Sequence, residues 1–210
     1  MDIRWFGHAM WQVSHEHLRI VTDPFADIGY PMPSGLVADI VLVSHDHYDH
    51  NNVSLVGGDP VVIRKSGIYE VSGVSIELLP VWHDEAAGAK RGFNHLMRFD
   101  VGGRRFVHCG DLGHMPDSET LARLGHVDVL MVPVGGYYTI DAATALDLVA
   151  RLNPAIVFPM HYKTSVLDFP IETVEDYARH AQNVRVVENN HIALAPEDFA
   201  FSQTILMGFK

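Results

Sequence analysis

The stretch VLVSHDHYDH, Val41 to His50, runs an apolar segment straight into three histidines and two aspartates within six residues. In ADIVLVSH the apolar part shows no polar alternation, which predicts a strand covered on both faces. At its end stand His45, His47, Asp49 and His50. Four such side chains in one turn lose solvation and repel one another unless a positive charge lies between them, and a divalent cation supplies it. Imidazole and carboxylate suit zinc, manganese or iron, with zinc bonds of about 2.0 to 2.2 Å. His15 and His17 lack this setting and read as a solvated turn.

Three further apolar segments end in the same kind of residue. VSIELLPVWH stops at His83, RRFVHCGD at Asp111 and AIVFPMHY at His161. Ligands and substrates gather outside the carboxyl ends of strands, where loops converge while the core stays dry. The candidates therefore number seven, drawn from four strand ends.

The rest of the chain supplies a frame for them. IRWF, WQVSH and LRIVTDP read as short antiparallel strands, as do PVVIR, IYEVSG and VSIELLPVWH after the histidine motif. NHLMRFDVGGRRFVHCGD predicts a hairpin turning at Gly102-Gly103. From there strands and helices alternate: SETLARLG is a helix capped by Ser118, VDVLMVPVGG a buried strand, and DAATALDLVARLNP a helix closed by Asn-Pro. AIVFPMHY is a buried strand, IETVEDYARHAQN a helix, and VRVVENNHIALA a closing hairpin. The pattern predicts two sheets packed face to face with helices outside, in one domain over residues 1–210.

Composition narrows the function. With 26 acidic against 15 basic residues the formal charge is -11, and the longest run of arginine and lysine is a pair, so a nucleic-acid surface is not expected. The N-terminus MDIRWFGHAM has no basic region followed by an apolar stretch, and no window is long and apolar enough to span a bilayer. A cytoplasmic protein with no membrane partner is expected. The lone Cys109 excludes an internal disulfide framework and a cysteine-rich zinc cage, so any metal is held by histidine and carboxylate.

The arrangement His45-x-His47-x-Asp49-His50, followed in order by His83, Asp111 and His161, resembles the metallo-β-lactamase superfamily of hydrolases. TDP around Asp23 matches the early strand-end aspartate of that superfamily. RGFN (91–94), HCGDLGH (108–114), PVGGYYTIDA (133–142) and PMHYKT (159–164) are similar to its small branch of Zn-dependent or metal-dependent hydrolases, related to the ascorbate-phosphate lactonase group. The resemblance implies a four-layer αββα sandwich with two metal ions. It implies His45, His47 and His83 on the first ion and Asp49, His50 and His161 on the second, with Asp111 bridging them. Asp49 would also orient the attacking hydroxide, so Asp49 and Asp111 are the catalytic candidates. Many β-lactamases of the superfamily carry Cys or Ser where this chain has Asp111, which points away from β-lactams and towards phosphodiester, thioester or lactone substrates.

A water shared by two divalent ions is acidified from about 15.7 towards about 7, which supplies a hydroxide nucleophile at neutral pH. The chain is thus expected to be a dinuclear metallohydrolase, with zinc the leading metal and manganese, nickel or iron as alternatives, acting on a small anionic ester. Two other functions compete: an iron oxygenase or persulfide-oxidising enzyme on the same ligand frame, and a metal-binding module without turnover. Around the centre, Asp23 is expected to accept the free N–H of a ligand histidine. His8, Arg91, Asn94, His114 and Tyr137 are candidates for substrate contact or support of the ligands. The oligomeric state is not expressed in the sequence.

Overall fold

The computed structural model of the protein describes residues 1–209. In chain order the elements are β1 (Asp2–Gly7), β2 (Met10–His15), β3 (Leu18–Thr22), β4 (Ile40–Leu42), β5 (Val61–Ile63), β6 (Gly67–Val71), β7 (Val74–Trp82), β8 (Phe93–Val101) and β9 (Arg104–His108). They continue with α1 (Ser118–Leu124), β10 (Val129–Pro133), α2 (Ala142–Leu152), β11 (Ile156–Met160), α3 (Glu175–Ala178), β12 (Val184–Val187), β13 (His191–Ala193) and β14 (Gln203–Met207). One sheet has the order β13-β1-β2-β3-β4-β5 and the other β12-β14-β11-β10-β9-β8-β7-β6.

Strand direction explains why the site forms where it does. β1 and β3 both run antiparallel to β2, and β4 and β5 continue parallel to β3. In the larger sheet β7 and β9 both run antiparallel to β8, and β10 and β11 continue parallel to β9. Within each sheet, then, the carboxyl ends of β1, β3, β4 and β5, or of β7, β9, β10 and β11, share one edge. The residues just beyond those ends include His8, Asp23, His45, His83, Asp111 and His161.

The apolar run at residues 40–43 is covered on both sides. Ile40 and Leu42 join the main core, which contains Trp5 and Trp11 of one sheet and Phe99, Phe106 and Phe158 of the other. Val41 and Val43 join a second cluster with Phe25, Ile28, Leu36 and Leu167, which come from loops. The Trp11 and Phe158 rings, 5.1 Å apart between centroids, link the two sheets. Burying an aromatic or branched side chain contributes roughly 1.5 to 3 kcal/mol, so this shared core dominates the frame's stability.

Several local expectations meet the structure directly. Gly102 and Gly103, with φ of 58° and 72°, make the two-residue turn between β8 and β9. α2 begins at Asp141, whose carboxylate accepts from Thr144 N, and ends at Asn153 in the left-handed region. Other expectations are corrected. The cap of α1 is Asp117 rather than Ser118, because its carboxylate reaches Thr120 N at 2.8 Å. The helix expected over IETVEDYARHAQN shortens to the four residues of α3. The closing hairpin does not form: β12 pairs in parallel with β14, a strand the sequence did not announce, while β13 crosses to pair with β1. Each strand finds a longer-range edge to complete, which a local turn signal cannot encode. Among the described residues the α-helices all follow residue 117, and the outer face of the β1 sheet is covered by the apolar residues of the second cluster, which include Val53 and Leu55 of a short 3-10 turn.

Candidate metal centre

Asp111 is the hub of the site. Its Oδ2 lies 3.2 Å from His83 Nε2, 3.2 Å from His161 Nε2 and 3.8 Å from His45 Nε2, and its Oδ1 lies 3.2 Å from His50 Nε2. The turn after β9 delivers it through Gly110, at φ 52°. A Cβ at Gly110 would stand 2.3 Å from Asn94 Oδ1 and 2.5 Å from Ser44 Cβ, so only glycine lets the turn pass. Asn94 is buried and bonded at both ends of its amide: Asp111 N donates to its Oδ1 and its Nδ2 donates to Cys109 O. Asn94 therefore positions the Asp111 turn, the supporting one of the two roles expected for it.

The donor atoms fall into three overlapping groups, each within 4.8 Å: His45, His47 and His83; His8, Asp49, His50 and His161; and His45, His50 and Asp111. The structure thus brings together all seven residues expected as ligands, and adds His8. Their chemistry fits divalent ions. His50 Nε2 and Asp111 Oδ1 are buried, 3.2 Å apart, and neither has a hydrogen-bond partner, a costly state for polar atoms that a cation between them would relieve. His45 Nε2 and His47 Nδ1 approach to 3.0 Å within the first group.

Behind the donors, Asp23 sets the ring orientation of two histidines. Fully buried, it accepts from Ser44 N at 2.7 Å, Ser44 Oγ at 2.7 Å and His50 Nδ1 at 3.0 Å. With its Nδ1–H donated to Asp23, His50 turns Nε2 towards Asp111 and would bind an ion there by giving up the Nε2 proton. Ser44 Oγ also lies 2.9 Å from His45 Nδ1, which extends the same control to His45. Burial alone would raise the Asp23 carboxyl, but the charge and hydrogen bond of His50 more than reverse it, so the group lies below its ordinary range. Burial likewise opposes charge on His50, yet Asp111 and Asp23 on its two nitrogens hold it well above an ordinary histidine.

His8 reaches the site from the end of β1. Burial, reinforced by nearby His161, pushes it down to about 4, so its ring is neutral at pH 7. Because a carboxylate can only accept, the 3.3 Å contact between His8 Nε2 and Asp49 Oδ2 places the ring's proton on Nε2. Burial acts to raise the Asp49 carboxyl, and this bond and the charge of His50 bring it well below the usual range. His8, Asp23 and His161 all have positive φ, at 52°, 42° and 51°. Such conformations cost roughly 1 to 3 kcal/mol each and persist only where the surroundings impose them. Here His161 N donates to His8 O across the two sheets, tying two of these bends together.

An open cleft of about 450 Å³ leads to Asp49, His83, Asp111 and His161, with Tyr48, Arg91, Tyr138 and Phe169 around it. The Arg91 guanidinium lies 5.3 Å from the Tyr138 ring centre. Of the adjacent tyrosines, Tyr137 is 66% exposed and Tyr138 lines the cleft. The left-handed bend at Tyr137, φ 57°, turns the pair in this sense. His114 also turns out to serve the frame: its Nε2 accepts from Trp82 N at 3.2 Å and its Nδ1 faces Met115 O. Tyr48 and Phe169 were missed by the sequence reading; Tyr48 lay inside the quoted motif and could have been noticed, whereas nothing local marked Phe169.

The loop carrying Arg91 is organised by buried Asp84, whose carboxylate accepts from the backbone N–H of Ala86, Gly88, Lys90 and Arg91. Asp84→Ala is expected to release those four amides, raising their hydrogen-exchange rates by about tenfold or more while β7 and β8 stay protected. Unchanged exchange at Gly88 and Arg91 would show that Asp84 does not organise the loop.

Residues 2–161 match the model of the beta-lactamase superfamily domain. A UPF0173 metal-dependent hydrolase of Carboxydothermus hydrogenoformans is 32% identical over 198 residues, which cover 78% of this chain and 85% of that protein. A second, from Thermoplasma acidophilum, is 28% identical, covering 78% of this chain and 84% of its own length. Among solved structures, a Thermotoga maritima protein assigned to the Zn-dependent hydrolases of the metallo-beta-lactamase superfamily aligns with TM-score 0.85 and 36% identity over 99% of this chain and 98% of its own. Igni18, a metallo hydrolase of Ignicoccus hospitalis, shares the fold at TM-score 0.66 and 20% identity, covering 99% of this chain and 94% of that one.

Proposed function

Because the chain belongs to the beta-lactamase superfamily, we propose that its cluster of histidines and aspartates is the centre of a dinuclear hydrolase for small anionic esters, phosphodiesters or lactones. Relatives described as metal-dependent hydrolases support metal-dependent hydrolysis. The count of two ions and the class of ester rest on the site's own shape and charge. The observation that supports them is the convergence of two donor groups on Asp111, at the floor of a cleft whose rim carries Arg91.

His45, His47 and His83 would hold one ion and Asp49, His50 and His161 the other, with Asp111 between the groups. Two divalent ions, zinc foremost, would supply Lewis-acid activation of water and of the ester. The chain's own residues do the rest. Asp23 orients His50 directly and His45 through Ser44, and His8 fixes the Asp49 carboxylate through its Nε2 proton. Arg91 offers a planar donor to a substrate oxyanion, while Tyr138 and Phe169 bound the cleft with apolar surface. A cleft of this size suits a small molecule, and the charge of -11 disfavours a nucleic acid.

Protein purified without chelator is expected to contain about two divalent ions per chain by elemental analysis. After stripping and reloading, it should hydrolyse members of a phosphodiester, lactone and thioester panel, with anionic members preferred. Saturation at no more than one ion would sink the dinuclear reading. Bound iron with dioxygen consumption, and no hydrolysis, would favour the oxygenase alternative.

A further inference from the structure

We infer that a basic cleft adjoining the metal centre binds a second oxyanionic group of the substrate, remote from the bond that is broken. The inference rests on the hydrolase reading for the word substrate, but its physical basis is separate. A cleft of about 400 Å³ is lined by Arg64, Lys65, Arg91, Asp46, His47 and Phe93 among others, and it shares Asp46, His47 and Arg91 with the cleft over the metal centre. The two spaces are neighbours along one wall.

The distribution of charge singles this cleft out. Among the described lysines and arginines, only Arg4, Arg64, Lys65 and Arg91 have no carboxylate oxygen within 4.0 Å. Three of these four line the one cleft. In a chain of net charge -11, most cations are matched by nearby acids, so three unmatched ones in a single recess leave a local positive potential. The lining holds one carboxylate, Asp46, and that side chain accepts a hydrogen bond from Asn51 Nδ2.

The fold also anchors the segment that carries two of them. β5 lies parallel to β4, so its carboxyl end brings Arg64 and Lys65 to the rim where the histidine motif begins. Lys65 O accepts from Tyr69 OH at 2.9 Å. Ser66 Oγ lies 3.0 Å from His95 Nε2, and His95 Nδ1 lies 2.6 Å from the carbonyl of Ser44, next to His45. From the other side, Asp84 holds the backbone of Arg91 at 2.7 Å. Two arginine forks and an ammonium suit the several oxygens of a phosphate or carboxylate, and the exposed Phe93 adds an apolar wall.

The test uses inorganic phosphate as probe, followed by calorimetry on the metal-loaded protein and on protein stripped with chelator. Stripped wild type is expected to bind about one phosphate, and Arg64→Gln/Lys65→Gln to bind it about tenfold more weakly or worse, since charge-assisted bonds to the anion are lost. Loaded wild type, in which the ions also attract phosphate, should lose one equivalent in the same variant. Arg4→Gln, removing an unmatched cation outside the cleft, should change neither. Equal affinity and stoichiometry in wild type and double variant would overturn the inference, as would an equal loss in Arg4→Gln. A short oligonucleotide that outcompetes phosphate would also overturn it, in favour of a nucleic-acid ligand. If phosphate distinguishes the proteins but no ester is hydrolysed, the hydrolase reading fails and the anion cleft stands; if esters are hydrolysed but phosphate does not distinguish them, the cleft alone fails.

Discussion

Asp111→Ala is expected to empty the centre of metal and to lower hydrolysis by about a thousandfold or more, with the fold retained. Four imidazole nitrogens lie within 3.8 Å of its two oxygens, from residues of both sheets. Among the described residues, no other side chain connects the His45 group to the His50 group in this way. Alanine would leave the two proposed ion sites three donors each, without the shared carboxylate and the negative charge that balances them. Burial would raise the Asp111 carboxyl, but His161 and His50 draw it well below the ordinary range, so it is an anion throughout neutral pH. Asp111→Asn keeps the shape and loses that charge, and its amide offers one oxygen instead of two, so it should behave nearly as badly. The informative comparison is metal content beside rate, for both variants and for His114→Ala, whose ring contacts Trp82 and Met115 and should leave metal content unchanged. Two tightly held ions and near-normal turnover in Asp111→Ala would show that another residue joins the groups.

Asp23→Ala carries the second large effect, on stability as well as on the metals. It removes a fully buried acceptor from Ser44 N, Ser44 Oγ and His50 Nδ1 at once. Breaking a buried pair by deleting one partner costs about 3 to 5 kcal/mol, because the other is left without compensation. For a chain of this length each kcal/mol moves the midpoint by roughly 2 to 4 °C, so melting should fall by roughly 10 °C. Metal affinity should drop about 10- to 100-fold, as when support for a ligand histidine is lost. The pH dependence has a definite sign. The folded Asp23 carboxyl lies below its unfolded value, so its stabilisation is present above the ordinary carboxylate range and is lost as pH falls through the folded value. Thermal melts of chelated wild type and variant should therefore converge in acid and separate at neutral pH. A variant that melts within about 2 °C of wild type at pH 7 and keeps its metals would remove Asp23 from this role.

Much of the centre was legible because it is chemically local. A strand buried on both faces must be apolar, and a ligand at its end must be histidine or carboxylate, so each candidate announces itself within a few residues. The seven expected ligands come together in space for that reason. The misreadings are of another kind. β12 and β13 look like a hairpin in sequence, yet each completes the edge of a different sheet. Tyr137 and Tyr138 are indistinguishable by type, and only a left-handed bend decides which of them lines the cleft.

By itself, then, the sequence determined the residue types of the centre, the glycine turn between β8 and β9, and the exclusion of an internal disulfide framework and a cysteine-rich zinc cage. It did so because these depend on burial, periodicity and ligand chemistry within one short stretch. Only the tertiary structure decided which strands share an edge, how His8 reaches Asp49 across 41 positions, and that Arg64 and Lys65 meet Arg91 beside the metal centre. Those are distances between segments remote in the chain. They are set by packing two sheets on a common core, a collective result that no single stretch contains.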